Sequence, residues 1–179
     1  MMEFRELMAD ELNTELFKEF DRFQQVKECW RKEDGIWVTR SNPFTEQWNS
    51  EDYKVLVECL IHTVMTGGVV FGCFLEGTLK GFASVEGISF GKECQYLDLS
   101  SLHVSRDLRG RRAGSSLFQM AAQWARQHGA EKLYISSHSS VETQAFYKSM
   151  GCLETTEYSM EHVEKEPCDC QLEYVLERS

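Results

Sequence analysis

One stretch of this sequence does most to restrict the folds that the chain can adopt. An apolar, strand-like run, CQYLDLSSLHV, leads directly into SRDLRGRRAGS, and the residues after it place apolar side chains at helical spacing: Leu117, Phe118, Ala121 and Trp124. A second strand-like run, KLYISSH, follows Gly129. A strand, a helix and a strand in succession favour two parallel strands joined by a crossover helix.

The N-terminal part of the chain predicts further elements of both kinds. Alternation in MEFREL predicts a first strand. Apolar residues at helical spacing in DELNTELFKEFDRF predict a helix that begins near Asp10. The segment Cys29–Asn49 has three tryptophans and no clean period, so we expect an irregular segment ordered by its aromatic side chains. Ser50 is expected to cap a strong helix that ends at Gly67.

The remaining runs complete a mixed sheet. VVFGCFL and LKGFASVEG read as two strands joined at EGT, and SSVETQAFYKSMG reads as a short helix closed by Gly151. TEYSMEHV and CQLEYVLE read as a last pair of strands. The prediction is one domain over residues 1–179 of the α+β class, or α/β in looser schemes. Its central sheet is mixed and mostly antiparallel, with helices on both faces.

Composition excludes several classes of partner. The net charge of -10 makes nucleic acid a poor partner, and no apolar run approaches the roughly 18 to 20 residues that span a bilayer. The N-terminus has no secretory or transit pattern, so we expect a cytoplasmic protein. Seven scattered cysteines indicate reduced thiols rather than a disulfide framework. The pair in CDC lacks a second pair of ligands, and no metal site is predicted.

The stretch RGRRAGS has the form of a phosphate site. A loop that enters a helix N-terminus directs several backbone N–H groups one way, and glycine lets a phosphate approach them. Four arginines within seven residues add positive charge in an acidic chain: Arg106, Arg109, Arg111 and Arg112. The alternative is a basic, solvated turn before a helix. The stretch is neither a Walker A loop nor a GxGxxG loop.

Two motifs resemble the GNAT superfamily of acyl-CoA-dependent N-acetyltransferases. They are LHVSRDLRGRRAGSSLFQMAAQWARQHG and ETQAFYKSMGC, within residues 96–152. In the family's pattern Gln/Arg-x-x-Gly-x-Gly/Ala, Arg109 matches the first position and Gly114 the last, while Arg112 replaces the middle glycine. Ser140 stands where the family often has an asparagine, seven residues before Tyr147.

The resemblance implies acetyl-CoA as co-substrate and a site made mostly of backbone. In the family, the strand before the loop splays from its neighbour, and the pantetheine arm lies in the gap. That role falls to the main chain of Leu102, His103 and Val104. The loop would hold the pyrophosphate with residues Arg109, Gly110, Arg111, Arg112, Ala113, Gly114 and Ser115.

The resemblance also implies how the chemistry is done. An amine attacks the thioester directly, so it needs a proton acceptor, and the leaving thiolate needs a proton donor. Tyr147 is the implied acid, with packing against the coenzyme as its alternative. Asp98 is the implied base, with Ser100 on the same face of a regular strand to hold a relay water. The alternative for Asp98 is a structural or substrate-binding carboxylate.

The acceptor stays open at this point. It is expected between the tryptophan-rich segment and the loop that joins the last strands, which carries Glu161, Glu164, Glu166 and Asp169. The leading hypothesis is acetyl transfer to a primary amine of a small molecule or peptide. The alternatives are a domain that binds or senses acyl-CoA with little turnover, and an interaction protein that has lost the coenzyme. The resemblance also allows a homodimer.

Overall fold

The computed structural model describes residues 1–177, which form a seven-stranded sheet, a separate two-stranded hairpin and four α-helices. The strands are β1 Met2–Glu6, β2 Gln24–Glu33, β3 Ile36–Glu46, β4 Val69–Leu75, β5 Thr78–Val85, β6 Tyr96–Val104, β7 Lys132–Ser137, β8 Leu153–Glu154 and β9 Cys170–Val175. The helices are α1 Ser50–Met65, α2 Ala113–Gln127, α3 Val141–Ser149 and α4 Met160–Lys165.

The sheet has the strand order β1-β4-β5-β6-β7-β9-β8. Every pair in it is antiparallel except β6 and β7, which α2 connects as a parallel crossover. This confirms the predicted class, a mixed and mostly antiparallel sheet. It also confirms the parallel pair expected on either side of the arginine-rich loop.

Helices cover both faces of the sheet because its central strands are apolar on both. On one face Phe71 and Ala83 pack with Leu117 of α2, and on the other Val70 and Phe82 lie in the same cluster as helix α1. Adjacent residues of a strand point to opposite faces, so β4 and β5 supply side chains to two separate cores. The apolar side chains of α2 therefore anchor this helix to the sheet and fix the position of the arginine-rich loop that precedes it.

Two N-terminal predictions were wrong. The helix expected from Asp10 is a pair of short 3-10 helices, Ala9–Glu11 and Thr14–Phe17, because Asn13 accepts a hydrogen bond from Leu16 N and starts a new turn. The segment expected to be irregular is the β2–β3 hairpin. Its turn is Asp34 and Gly35, with φ of 49° and 78°, the left-handed pair that a two-residue hairpin turn requires.

Two cap and strand assignments also need correction. Asn49, not Ser50, caps α1, and it shares a capping box with Asp52. TEYSMEHV is not a strand. Its second half forms α4, because the Ser159 hydroxyl accepts from His162 N and begins a helix there.

Strands β6 and β7 separate soon after they pair. Their pairing covers only Tyr96–Asp98 on β6, and Asp98 lies opposite Tyr134. On its other edge, β6 contains a bulge: Ser84 lies opposite Ser101 and Val85 opposite Leu99, which leaves Ser100 as an extra residue. The splay implied by the family resemblance is thus present, and it begins immediately after Asp98.

Candidate functional site

A cavity of about 710 Å³ fills the gap between the two diverging strands. Its walls are residues 99–104 of β6, residues 136–138 at the end of β7, and residues of α3 that include Tyr147. The loop before α2 closes one end, with Arg109, Gly110 and residues 112–115. The cavity therefore joins the arginine-rich loop to Tyr147, two features that lie far apart in the sequence.

The N-terminus of α2 is built differently from those of the other helices. Arg112 is its N-cap residue but makes no side-chain capping bond, and the first helical turn has no acidic residue. The first hydrogen bond of the helix runs from Ser116 N to Arg112 O at 3.1 Å. Residues 113–115 come before that bond, so their N–H groups have no acceptor within the helix, and all three residues line the cavity. Such a group of N–H donors, with the helix dipole, favours an anion.

Arg112 adopts the conformation that its glycine-like position requires. Its φ is 65°, in the left-handed region that favours glycine, even though the residue is not glycine. The side chain is exposed. The departure from the family's pattern therefore affects the strain of the loop more than the direction of its N–H groups.

Replacing Arg112 with glycine is expected to increase the free energy of unfolding by about 0.5–1 kcal/mol. The left-handed conformation costs roughly 1–2 kcal/mol for a residue with a Cβ, and the greater freedom of glycine in the unfolded chain offsets part of that gain. Urea unfolding measures the change. Arg111→Gly is the control, because Arg111 is not among the residues with positive φ. Equal stabilisation by both variants would contradict this account of strain.

The guanidinium of Arg109 binds protein backbone. It donates to Val104 O at 3.1 Å, to Phe23 O at 2.6 Å and to Arg22 O at 3.3 Å. These bonds tie the end of β6 to the segment before β2. The Arg109 side chain thus fixes the position of the loop, because its guanidinium donates only to backbone carbonyl groups.

The backbone of β6 alternates between its two edges. Ser105 N donates to Lys80 O of the β5 side, and in an antiparallel ladder every second residue does the same. His103 therefore bonds toward β5, while the backbone groups of Leu102 and Val104 face the gap. Leu102, His103 and Val104 were expected to direct backbone groups into the gap. Leu102 and Val104 do so, and His103 does not.

His103 itself lines the cavity through its ring. The ring packs edge-on against Trp48 at 4.8 Å and against Phe82 at 5.4 Å, between centroids. Burial, and then the charges of Arg22 and Arg109, lower the pKa of His103 to about 3. The imidazole is therefore neutral throughout the physiological range.

Tyr147 projects from α3 into the cavity wall and is 7% exposed. No hydrogen bond from its hydroxyl to the described residues 1–177 is formed, although the ring packs with Phe118 and Phe146. Burial raises the pKa of Tyr147, and the nearby Cys152, Asp169 and Asp98 raise it further. The phenol is held protonated beside a cavity, which is the state that a proton donor needs.

Asp98 forms a hydrogen-bonded pair that the sequence did not indicate. Its Oδ2 lies 2.8 Å from His162 Nε2, and His162 Nδ1 lies 2.8 Å from Ser159 Oγ. Burial raises the pKa of Asp98, and the hydrogen bond to Asp98 raises the pKa of His162. The expected partner Ser100 bonds to Glu86 and Ser84 instead, because the bulge changes its direction.

The β2–β3 hairpin covers the junction of β7 and α3. Trp30 N donates to Ser139 O at 2.8 Å, Arg31 donates to Ser139 Oγ at 2.7 Å, and the ring of Phe44 lies 5.4 Å from that of His138. The Asp-Gly turn was the signal for this hairpin in the sequence. The tryptophan-rich segment therefore does border the site, as a regular element rather than an irregular one.

The sequence analysis missed Arg22 as well as His162. It lines the cavity, is 7% exposed and lies over the Trp48 ring at 5.1 Å. It donates to Glu46 at 2.9 Å and to Gln24 at 3.1 Å, whereas its Nε finds no partner within residues 1–177. No spacing in the sequence distinguishes this arginine from an exposed one.

Four acids were expected in a loop before β9, but Glu161 and Glu164 lie in α4, and Asp169 stands apart from the other three. Glu161, Glu164 and Glu166 are exposed, while Asp169 is half-buried and accepts a hydrogen bond from Ser136. Within residues 1–177 no group of three or more His, Cys, Asp or Glu side chains is arranged to hold a metal ion. None of the described helices is long and apolar enough to cross a membrane.

Solved structures of known acetyltransferases share this fold. Nourseothricin acetyltransferase aligns with a TM-score of 0.70 and 15% identity over 98% of this chain and 99% of its own. A protein from Bacillus anthracis, provisionally assigned as a streptothricin acetyltransferase and solved with acetyl coenzyme A, aligns with a TM-score of 0.71 and 15% identity over 100% and 99%. At such identities the likeness establishes the fold alone.

A third solved structure shares the fold, and a family model matches the sequence. PaiA N-acetyltransferase from Thermoplasma acidophilum, solved with coenzyme A, aligns with a TM-score of 0.61 and 17% identity over 98% of this chain and 99% of its own. No curated protein matches the sequence significantly. The family model described as acetyltransferase (GNAT) family matches residues 33–152, about two thirds of the chain. The chain therefore belongs to the GNAT acetyltransferase family.

Proposed function

We propose that this protein transfers an acetyl group from acetyl-CoA to a primary amine. The observation that carries the proposal is one cavity lined both by the uncapped N-terminus of α2 and by Tyr147. An anionic coenzyme fits the helix N-terminus, and Tyr147 is a proton donor. Family membership supports acetyl transfer in general.

The chain's own residues fit the coenzyme in two places. The N–H groups at the start of α2, in the loop 109–115, would hold the pyrophosphate, and exposed Arg111 and Arg112 would add positive charge. The outward-facing backbone groups of Leu102 and the N–H of Val104 would hold the pantetheine arm, since the Val104 carbonyl already accepts from Arg109. When bound, acetyl-CoA supplies the acetyl group as an activated thioester.

The proposed acid Tyr147 lines the cavity, whereas the proposed base Asp98 lies one residue before Leu99, the first lining residue of β6. Tyr147 keeps its proton until the departing sulfur needs one. Asp98 stands where β6 and β7 separate, and we place the proton acceptor on the Asp98–His162 pair rather than on Asp98 alone. A carboxylate that orients an imidazole and stabilises its charged form is a familiar arrangement for proton acceptance.

The proposed acceptor is a small, basic amine. Glu46 of the hairpin is close enough to raise the pKa of Asp169. The rings of Phe44 and Trp48 pack on two histidines that line the cavity, His138 and His103. Structural neighbours named for nourseothricin and an aminoglycoside act on molecules that their names identify, and these guide the choice of test amines. Cytoplasmic localisation and a homodimer stay predictions.

Two measurements test the proposal. Isothermal titration is expected to show acetyl-CoA binding, and thiol release in the presence of an amine panel is expected to show turnover. The panel includes nourseothricin, an aminoglycoside, linear diamines and an amino acid. Binding without thiol release from any amine would favour the alternative, a domain that only binds or senses acyl-CoA. Absence of binding at high micromolar concentrations would contradict both.

A further inference from the structure

Asp169 is one hydrogen bond away from the cavity: it accepts from Ser136, which lines the cavity, while Asp169 itself is not among the lining residues. It immediately precedes β9, whose first residues Cys170 and Gln171 pair with Ser137 and Ser136 of β7. The cavity is lined here by the last two residues of β7, Ser136 and Ser137, and by His138, which follows them. The carboxylate is half-buried, so it is neither a solvated surface acid nor a core residue.

A chain of hydrogen bonds ends on this carboxylate. Ser159 N donates to the Tyr134 hydroxyl at 3.0 Å, and that hydroxyl donates to Gln171 Oε1 at 2.6 Å. Gln171 Nε2 donates to Ser136 Oγ at 3.0 Å, and Ser136 donates to Asp169 Oδ2 at 3.1 Å. All four donors point the same way, so Asp169 is the terminal acceptor and its orientation is fixed from the start of α4.

Within the described chain, no salt bridge neutralises the charge of Asp169. Burial, the largest effect, raises its pKa, and the charges of Glu166 and Glu46 also raise it, while the hydrogen bond from Ser136 and the charge of His138 lower it. A cation placed here would offset the cost of burying this carboxylate.

We propose, on the basis of the transfer reaction proposed above, that Asp169 binds a second ammonium group of the acceptor. The acceptor is then a diamine or a larger polyamine. The attacking nitrogen must be neutral, and a carboxylate bonded to it would favour its charged form instead. Ser136, which donates to Asp169, lines the same cavity as the proposed acid Tyr147, so one short molecule can lie between the two.

The test compares diamines with monoamines of equal length. Thiol release is measured with putrescine against n-butylamine and with cadaverine against n-pentylamine, counting the two equivalent nitrogens of each diamine. The wild type is expected to favour the diamines at least about tenfold in kcat/KM, and Asp169→Asn to remove about tenfold to a hundredfold of diamine kcat/KM. The monoamines and the KM for acetyl-CoA are expected to change by less than about twofold.

Ser136→Ala separates orientation from charge. It keeps the Asp169 carboxylate but removes its donor, so we expect a several-fold rise in the KM for putrescine with little change for n-butylamine. Glu58→Gln is the matched control, because it makes the same chemical change at an exposed position of α1. A wild type without diamine preference, or an equal loss on both classes of amine in Asp169→Asn, would overturn the proposal.

Calorimetry gives a second readout that needs no turnover. Putrescine is titrated into the wild-type protein with coenzyme A and into the Asp169→Asn variant under the same conditions. Weaker putrescine binding by the variant supports the second-ammonium site whether or not any amine releases thiol. Failure of every amine to release thiol would count against the transfer reaction alone. Equal binding by the two proteins would overturn the site and leave the transfer reaction unaffected.

Discussion

Replacement of Tyr147 by phenylalanine is expected to lower kcat about a hundredfold, the lower range for loss of a general acid. Tyr147 lines the cavity and its hydroxyl has no protein partner in the described chain, and burial raises its pKa, so the phenol is protonated when the thiolate leaves. The ring packs with Phe118 and Phe146, and phenylalanine preserves both contacts. The dissociation constant for acetyl-CoA is expected to change by less than about threefold.

Single-turnover thiol release and calorimetry together measure these two quantities. Tyr174→Phe is the matched control: its ring packs on Phe118 at 5.0 Å, and Tyr174 does not line the cavity. That variant is expected to retain full activity. A collapse of acetyl-CoA affinity in Tyr147→Phe, with kcat unchanged, would make the residue a packing group and remove it from the mechanism.

Sequence patterns were most informative where local rules and burial agree. Continuous apolar runs predicted β4, β5 and β7, and the strand-loop-helix order predicted the parallel crossover. The N-terminus of α2 was recognisable because glycines and the lack of acids in its first turn are local features. These parts of the fold depend on residues that are neighbours in the chain.

The sequence was misleading where one pattern hid another. The lack of a clean period made Cys29–Asn49 look irregular, but Asp34 and Gly35 specify a two-residue turn and thereby the hairpin. In TEYSMEHV the alternation of apolar residues suggested a strand. Ser159 caps a short helix there, and a cap outweighs a weak alternating pattern.

Contacts between distant segments were beyond any reading of the sequence. Asp98 and His162 are 64 positions apart, and Ser100 turns away from Asp98 because of a bulge that no residue type announces. Arg109 was expected in the phosphate cradle, yet its guanidinium holds the carbonyl groups of Phe23 and Val104. Side-chain partners of this kind are fixed by tertiary packing, so they emerge only from the structure.

The loop illustrates how a family's site tolerates a changed side chain. Its proposed anion contacts are backbone N–H groups at the start of α2, and Arg112 keeps their direction by adopting a left-handed conformation. The proposed acid and base depend on side chains instead: Asp98 of β6, Tyr147 of α3 and His162 of α4. We therefore expect substitutions at Tyr147 and at the Asp98–His162 pair to reduce turnover far more than any at the four arginines.

Asp98→Asn is expected to lower kcat about a hundredfold and to change the pH profile. The hydrogen bond to Asp98 is the main cause that raises the pKa of His162, so proton acceptance in the wild type should develop as pH rises through a value above the ordinary 6.5. Asparagine keeps an oxygen for His162 but removes the charge. The residual activity of the variant should therefore rise at lower pH. The wild-type inflection belongs to the pair rather than to either residue.

The same pair makes a separate prediction for stability. A histidine whose pKa is raised by folding stabilises the protein fully below its unfolded pKa, and this contribution is lost as pH rises through the folded pKa. The Tm difference between wild type and His162→Gln should thus be largest below about pH 6.5 and shrink above it. His128→Gln, at an exposed position of the chain, is the control. If Asp98→Asn loses this pH-dependent stability but keeps its kcat and pH–rate profile, the pair only anchors α4 to the sheet, and the proton acceptor must lie elsewhere.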